Sequence, residues 1–296
     1  MAGFRTIVIN KRCKLESQLG SMVIRSETEE RVHIAEIETL VIESTAVALS
    51  SSLIADLTES GANIIFCDKK HLPAAVFTPV HAHFRVSKNI KDQIAWTDER
   101  KAQCWKWIIK EKIRQQALHL KALGDTDNHE LLMNYSREIE DGDNENYEAR
   151  AASVYFRSVF SKSFNRNNAC FENEALNYGY TLLMATFARE ISACGYLTEL
   201  GIWHCGVENA FNLASDLMEP FRIAVDRMIT TMPEDCKSSY KRYMLKLMYW
   251  RIIINNENQS LVPTIRIYLH RIFRFMKLEV DDIFGIEFLL GEKDEL

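Results

Sequence analysis

The spacing of apolar positions changes character near residue 80. Before that point the apolar runs are short and strand-like. Arg5–Ile9 is one. Ser21–Arg25 is another, with Met22-Val23-Ile24 at its centre, and Gln18-Leu19-Gly20 offers a turn between the two. Residues 31–43 alternate through Val32, Ile34 and Ile37 into Leu40-Val41-Ile42. Ser44 is placed to cap a helix through Leu57, and Gly61 to stop it. Asn63–Cys67 reads as a buried strand, and 72–77 as a last strand before Pro79. From about residue 82 the period becomes helical. Trp96, Ile108 and Ile109 recur among lysines and arginines, and further helices are predicted over 131–140, 148–160, 174–193, 208–216, 218–228, 238–255 and 262–277. The polar stretches 124–128 and 140–146 are loops. The predicted class is α+β. A small N-terminal β-rich domain (1–82) precedes a larger all-α domain (83–296), with no internal repeat.

Composition agrees with a folded globular chain, at 47% apolar and 26% charged residues. No apolar run reaches a membrane span, and the first residues contain no signal-peptide core, so the expected location is a bacterial cytoplasm. Seven scattered cysteines without CxxC spacing read as reduced thiols there. The last four residues, Lys293-Asp294-Glu295-Leu296, spell an address read only in a lumen this chain is not expected to enter.

The net charge of −5 hides a pattern that changes the picture. Ten Lys/Arg stand against four acids over 85–121, and nine against Glu257 alone over 237–277. Acids gather over 138–148 and after Glu279. Basic stripes beside an acidic cluster suit a protein that holds phosphates and a metal together. Solvated helix faces would give the same stripes.

Three places carry candidate chemistry. Glu148 opens a helix after an acidic loop, where the helix dipole favours its ionised form; small residues follow it. A helix-stabilising glutamate is the plain alternative. His204 lies between Trp203 and Cys205, where a half-buried structural histidine is the commoner occupant, and no second Cys/His pair supports zinc. Asp216 and Glu219 share one helical face, although Glu219 and Arg222 could simply form a surface pair. On one continuous helix the fifteen residues from His204 to Glu219 would span about 22 Å. A shared metal therefore requires a turn, for which Gly206 is the candidate. One imidazole and two carboxylates suit Mn2+ or Mg2+.

Four blocks in order select among these residues. YEARAASVYF (147–156), ENEALNYGYTLL (172–183), GIWHCG (201–206) and SDLMEPFRIAVDR (215–227) resemble the CRISPR-associated adaptation integrase family, most closely its type II-like subfamily. The resemblance covers essentially the whole chain. It implies insertion of short captured DNA into a repeat array by metal-dependent phosphodiester transesterification, with Glu148, His204 and Glu219 as ligands of Mg2+ or Mn2+. It implies Asp216 in support, and DNA backbones on Arg85, Lys88, Lys106, Lys110, Arg114 and Lys246. It further implies double-stranded DNA substrates, a homodimer joined through the β domain, and a small ferredoxin-like partner in a four-plus-two complex. Other type II proteins follow as partners, with no membrane. Asn177, Tyr178 and Tyr180 are expected to pack the helices together. A non-catalytic helical DNA-binding or scaffold protein is the rival reading, and a stand-alone metal-dependent DNA nuclease a third.

Overall fold

The computed structural model describes residues 3–69, 73–77, 85–254, 257–281, 283 and 289–290. The chain divides into two compact units, Met1–Ala82 and His83–Leu296. The C-terminal tetrapeptide and Pro79 lie outside the described residues.

The first unit holds β1 (Arg5–Ile9), β2 (Cys13–Gln18), β3 (Ser21–Arg25), β4 (Glu29–His33), β5 (Ile37–Ile42), β6 (Val47–Leu49), α1 (Ser51–Ser60), β7 (Asn63–Cys67) and β8 (Pro73–Val76). One sheet runs β1-β5-β7-β8, parallel except for β8; the other runs β4-β3-β2-β6, antiparallel except for β6 on β2. All six positions of β5 are buried, as expected of a central strand in a parallel sheet. Leu15, Met22, Leu40, Leu53, Leu57 and Ile64 form the heart of the core.

Three local expectations shift. The 31–43 run is two strands in different sheets, separated by a 3-10 turn at Ile34–Glu36. β2 carries little apolar sequence, yet it buries Cys13 and Leu15 on alternate positions. It meets β3 through Leu19 and Gly20, both at positive φ, the geometry of a tight two-residue hairpin. The α1 cap is Ser50, accepting from Leu53 N at 3.2 Å, and not Ser44. Val47–Leu49 is taken up by pairing with β2 and cannot join the helix. Gly61 ends α1 at φ 78, as expected.

The second unit contains α2 (Val86–Ile94), α3 (Asp98–Ala122), α4 (Thr126–Glu138), α5 (Tyr147–Val159), α6 (Phe171–Ala193), α7 (Asn212–Leu217), α8 (Arg222–Thr230), α9 (Tyr240–Met244) and α10 (Leu261–Met276). It packs around α3, which touches α4, α5, α7, α8, α10 and a 3-10 turn at Glu219–Phe221. Trp105, Ile108, Ile109, Ile113, Ala117 and Leu120 give α3 its buried face. On α6, a Cβ at Gly179 would stand 2.5 Å from Val225 Cγ1 and 2.6 Å from Met244 Cε, so glycine there lets α8 and α9 close in.

The helical boundaries move where backbone chemistry demands it. The chain from Gly201 to Phe211 is not helical, so the 208–216 helix begins only at Asn212. The 218–228 helix starts as a 3-10 turn because Pro220 removes a donor. The 238–255 helix breaks into short turns around α9, and β9 (Arg251–Ile254) then pairs with β10 (Glu257–Ser260) and β11 (Leu289–Leu290). The β-branched run Ile252-Ile253-Ile254 favours that strand. The unit is thus mostly helical with a small sheet, rather than all-α. Among the described residues no helix is long and apolar enough to cross a membrane.

Candidate functional site

Asp216, on α7, is fully buried and organises the loop that carries His204. Its carboxylate accepts from the backbone N–H groups of Ile202 (2.6 Å), Trp203 (2.9 Å) and His204 (3.1 Å). It also meets His204 Nδ1 at 2.5 Å. Gly201 makes this wrap possible, since a Cβ there would lie 2.2 Å from the His204 carbonyl oxygen and 2.9 Å from Asp216 Oδ2. The chain therefore turns around Asp216, with Gly201 rather than Gly206 as the residue that must be small. Trp203 stacks on the buried Trp105 of α3 at 5.5 Å, and Trp105 meets the His204 ring edge-on. The Asp216 hydrogen bond raises the His204 pKa; partial burial opposes it, and the charges of Asp216, Glu219 and Glu148 add to the rise. With Nδ1 committed to Asp216, Nε2 is the nitrogen left to act, the arrangement a metal-binding histidine uses.

Glu148 reaches the site from the first turn of α5. Asp143, at φ 49, accepts from Tyr147 N and Glu148 N and so caps that helix. Glu219 enters from the 3-10 turn and is 4% exposed. Between them stands Lys112 of α3. Its Nζ is 2.7 Å from Glu148 Oε1 and 2.6 Å from Glu219 Oε2, the second contact lacking the direction of a hydrogen bond. Arg222 Nε donates to Glu219 Oε1 at 2.9 Å. Burial alone would raise the Glu219 pKa, but Arg222 and Lys112 outweigh it and hold the carboxyl below its ordinary value. Burial likewise pulls Lys112 down, and Glu219 and Glu148 more than reverse it.

The structure thus brings Glu148 and Glu219 together around one cation and gives His204 to Asp216. Among the described residues, no three His, Cys, Asp or Glu side chains are gathered as a metal-holding set. The donor chemistry still fits a hard divalent ion: two carboxylates already converge on a positive centre, and an imidazole within their electrostatic influence keeps Nε2 open. Sequence reasoning missed Lys112, one of ten cations in its stripe. The signal was its place three and four residues after Ile109 and Ile108, on the buried face of α3.

The remaining basic candidates divide. Lys106 pairs with Asp141 and Arg114 with Glu111. Lys88 and Lys110 are exposed, with no ion pair among the described residues; Arg85 is exposed too. Lys246 is exposed beside the Tyr243 ring. Much of the 237–277 stripe is internally neutralised: Lys237 by Glu234, Arg266 by Glu190, Arg274 by Glu279 and Lys277 by Asp92.

A cavity of about 230 Å3 adjoins the carboxylate pair, lined by Lys112, Arg166, Tyr180, Glu219, Arg222 and Asp226 among others. Arg166 is held by the side-chain oxygens of Asn173 (2.6 Å) and Asn177 (2.8 Å). Asn177 therefore orients a cavity arginine, beyond the packing role expected of it. Tyr180 donates to Asp226 at 2.5 Å, and Tyr155 links Asp226 to the buried His119. Burial pushes Asp226 up to about 6, against the pull of Tyr180, Tyr155, Arg222 and Arg166. The folded state therefore holds the Asp226 proton more tightly than the unfolded chain, whose ordinary value is 3.8. That stabilisation is complete below about pH 4 and is lost as pH rises through about 6, a change of about 3 kcal/mol. Asp226→Asn should gain by up to that amount relative to the native chain between pH 4 and 7, read by denaturant unfolding at stepped pH. Parallel pH profiles for the two proteins would refute it.

Comparison with known proteins supplies the family. The model of "CRISPR associated protein Cas1" matches residues 6–246. The CRISPR-associated endonuclease Cas1 of Neisseria meningitidis serogroup C (strain 8013) is 30% identical over 269 residues, covering 88% of each chain. A casposase bound to integration product superposes at TM-score 0.78 with 15% identity, covering 99% of this chain and 96% of that one. A chain of a partial Cas6-RT-Cas1–Cas2 complex superposes at 0.66 with 14% identity, covering 98% and 100%. With four-fifths of its length inside the family model, and a curated relative matched over nearly all of both chains, this chain belongs to the CRISPR-associated Cas1 family.

Proposed function

We propose that this protein inserts short captured DNA into a CRISPR repeat array by metal-dependent phosphodiester transesterification, and cuts DNA at the same site by hydrolysis, with water in place of the attacking hydroxyl. The observation that carries the reading is the convergence of Glu148 and Glu219 on one cation, beside an imidazole whose Nδ1 is tied to Asp216. In the reaction a 3′-hydroxyl gives its proton to solvent and its oxygen forms a bond to phosphorus. The phosphorus–oxygen bond on the opposite side breaks, and the leaving oxygen takes a proton. Glu148, His204 through Nε2, and Glu219 would hold Mg2+ or Mn2+. When bound, that ion supplies Lewis-acid stabilisation of the phosphoryl charge. Asp216 orients the imidazole. Because His204 has one free nitrogen, a ligand role leaves it none for proton transfer, so solvent is the proton carrier. Lys112, Arg166 and Arg222 line the cavity where phosphate oxygens bind. Lys88 and Lys110 hold DNA backbone farther out, with Arg85 and Lys246.

The substrates are double-stranded DNA, and the work is done in a bacterial cytoplasm. The protein acts as a homodimer through its β-rich unit. A Cas2-type partner, small and ferredoxin-like, completes a four-plus-two assembly with it; the solved Cas1–Cas2 relative supports that kind of partner. Other type II CRISPR proteins are further partners.

Three measurements test this reading. Glu148→Ala, His204→Ala and Glu219→Ala should each lower integration with Mn2+ by about a thousandfold, as several kcal/mol of lost charge stabilisation require. Near-native activity in any one removes that residue from the site. DNA affinity should fall with salt at a slope of about 0.9 per phosphate neutralised. Lys88→Glu with Lys110→Glu should flatten the slope more than Arg114→Glu, whose charge Glu111 already balances. An unchanged slope would leave these lysines as mere solvation. By light scattering, the full chain should be dimeric at micromolar concentration, and a chain starting near residue 85 monomeric. A monomeric full chain, or a dimeric truncation, would place the interface elsewhere.

A further inference from the structure

Glu148, Glu219, Lys112 and Arg222 form a closed charge set. Lys112 Nζ touches both carboxylates at 2.7 and 2.6 Å, and Arg222 takes the other oxygen of Glu219 at 2.9 Å. Two negative and two positive charges cancel. The Lys112 side chain is only 12% exposed, so water screens it little. A divalent cation seated between the same carboxylates, at metal–oxygen distances of about 2.1 Å, would press against that ammonium. It would also leave the pocket with two uncompensated positive charges. Something must remove the ammonium or add negative charge. The cavity beside it is open and is lined by Arg166 and Arg222 with Asp226, so a divalent ion on the carboxylates would tip its balance of charge to positive, a setting that attracts phosphate. A lysine head on a flexible four-carbon stem can turn from carboxylate to phosphate; a guanidinium fixed in a fork would do so less readily.

We propose that Lys112 is a built-in counter-ion that occupies the metal position until DNA arrives, so that divalent metal and DNA load together. This rests on Glu148 and Glu219 being metal ligands. Without DNA, Lys112 holds the two carboxylates in register and competes with the metal. When a DNA phosphate enters the cavity, the ammonium pairs with it and leaves the carboxylates to the metal. The coupling is reciprocal, so metal tightens DNA as much as DNA tightens metal. The consequence is a nuclease that stays unloaded while it carries no DNA.

The test is Mn2+ binding to the full-length protein, followed by the paramagnetic resonance of free Mn2+, with and without a short branched duplex. The duplex alone, and the Glu148→Gln/Glu219→Gln protein, serve as blanks. In the native protein, DNA should tighten Mn2+ about tenfold or more. Lys112→Met should bind Mn2+ about tenfold tighter than native without DNA, and DNA should then add little. Its metal-free melting temperature should drop, since two carboxylates now face each other, and Mn2+ should restore it. Should Lys112→Met fail to fold, Lys112→Gln removes the charge while keeping a donor. Native-like or weaker Mn2+ binding by the folded variant without DNA overturns the Lys112 inference alone. No Mn2+ bound above the blanks by either protein, with or without DNA, overturns it together with the metal site itself.

Discussion

A carboxylate in the interior of a helical unit costs several kcal/mol unless cations are buried with it. Glu219, 4% exposed, imposes that constraint here. Lys112 answers it from the middle of α3, and Arg222 from the first residue of α8. Pro220 fixes the short turn that aims Glu219 between them. Glu148, brought in by the Asp143 cap on α5, then shares the ammonium. Removing Glu219 would cost Arg222 its carboxylate partner and leave Lys112 only Glu148, and removing either cation would leave the buried carboxylate with a single one. The local packing of α3, α5, α8 and the turn follows from keeping this set balanced.

The second half of the site hangs from the same helix. Trp105 and Lys112 are two turns apart on one face of α3, about 10 Å along its axis. Trp105 receives Trp203 and the edge of His204, while Lys112 receives the carboxylates. The His204 loop has no regular structure of its own, and its conformation is set by four hydrogen bonds to one buried carboxylate, Asp216. A loop held this way is ordered without being covered, which suits an imidazole that must stay 45% exposed.

Charge stripes in the sequence proved a mixture once folded. Within 85–121, Lys112 is largely withdrawn from solvent between two carboxylates, Lys106 and Arg114 are paired, and Lys88 and Lys110 face solvent. A count of cations cannot separate these roles, because each depends on which acid lies across the gap. For Lys106 and Lys112 the acids, Asp141 and Glu148, come from a loop and a helix dozens of residues away, whereas Arg114 is met by Glu111 on its own helix.

By itself the sequence determined the division near residue 80, the strands of Arg5–Ile9 and Asn63–Cys67, the Gly61 helix stop, the helical period that α3 follows, and the long helices α5, α6 and α10. Each depends on local periodicity or on a residue with restricted backbone chemistry. Its four blocks also singled out Glu148, His204, Asp216 and Glu219. Tertiary structure alone decided the rest. Val47–Leu49 became a strand because β2 was there to pair with it, and the 238–255 helix broke because β10 and β11 could take up Arg251–Ile254. Lys112 became the centre of the site, and Asp226 an acid that burial raises above its ordinary value, because burial and through-space charge fix what a titratable group does, and both are set by neighbours distant in sequence.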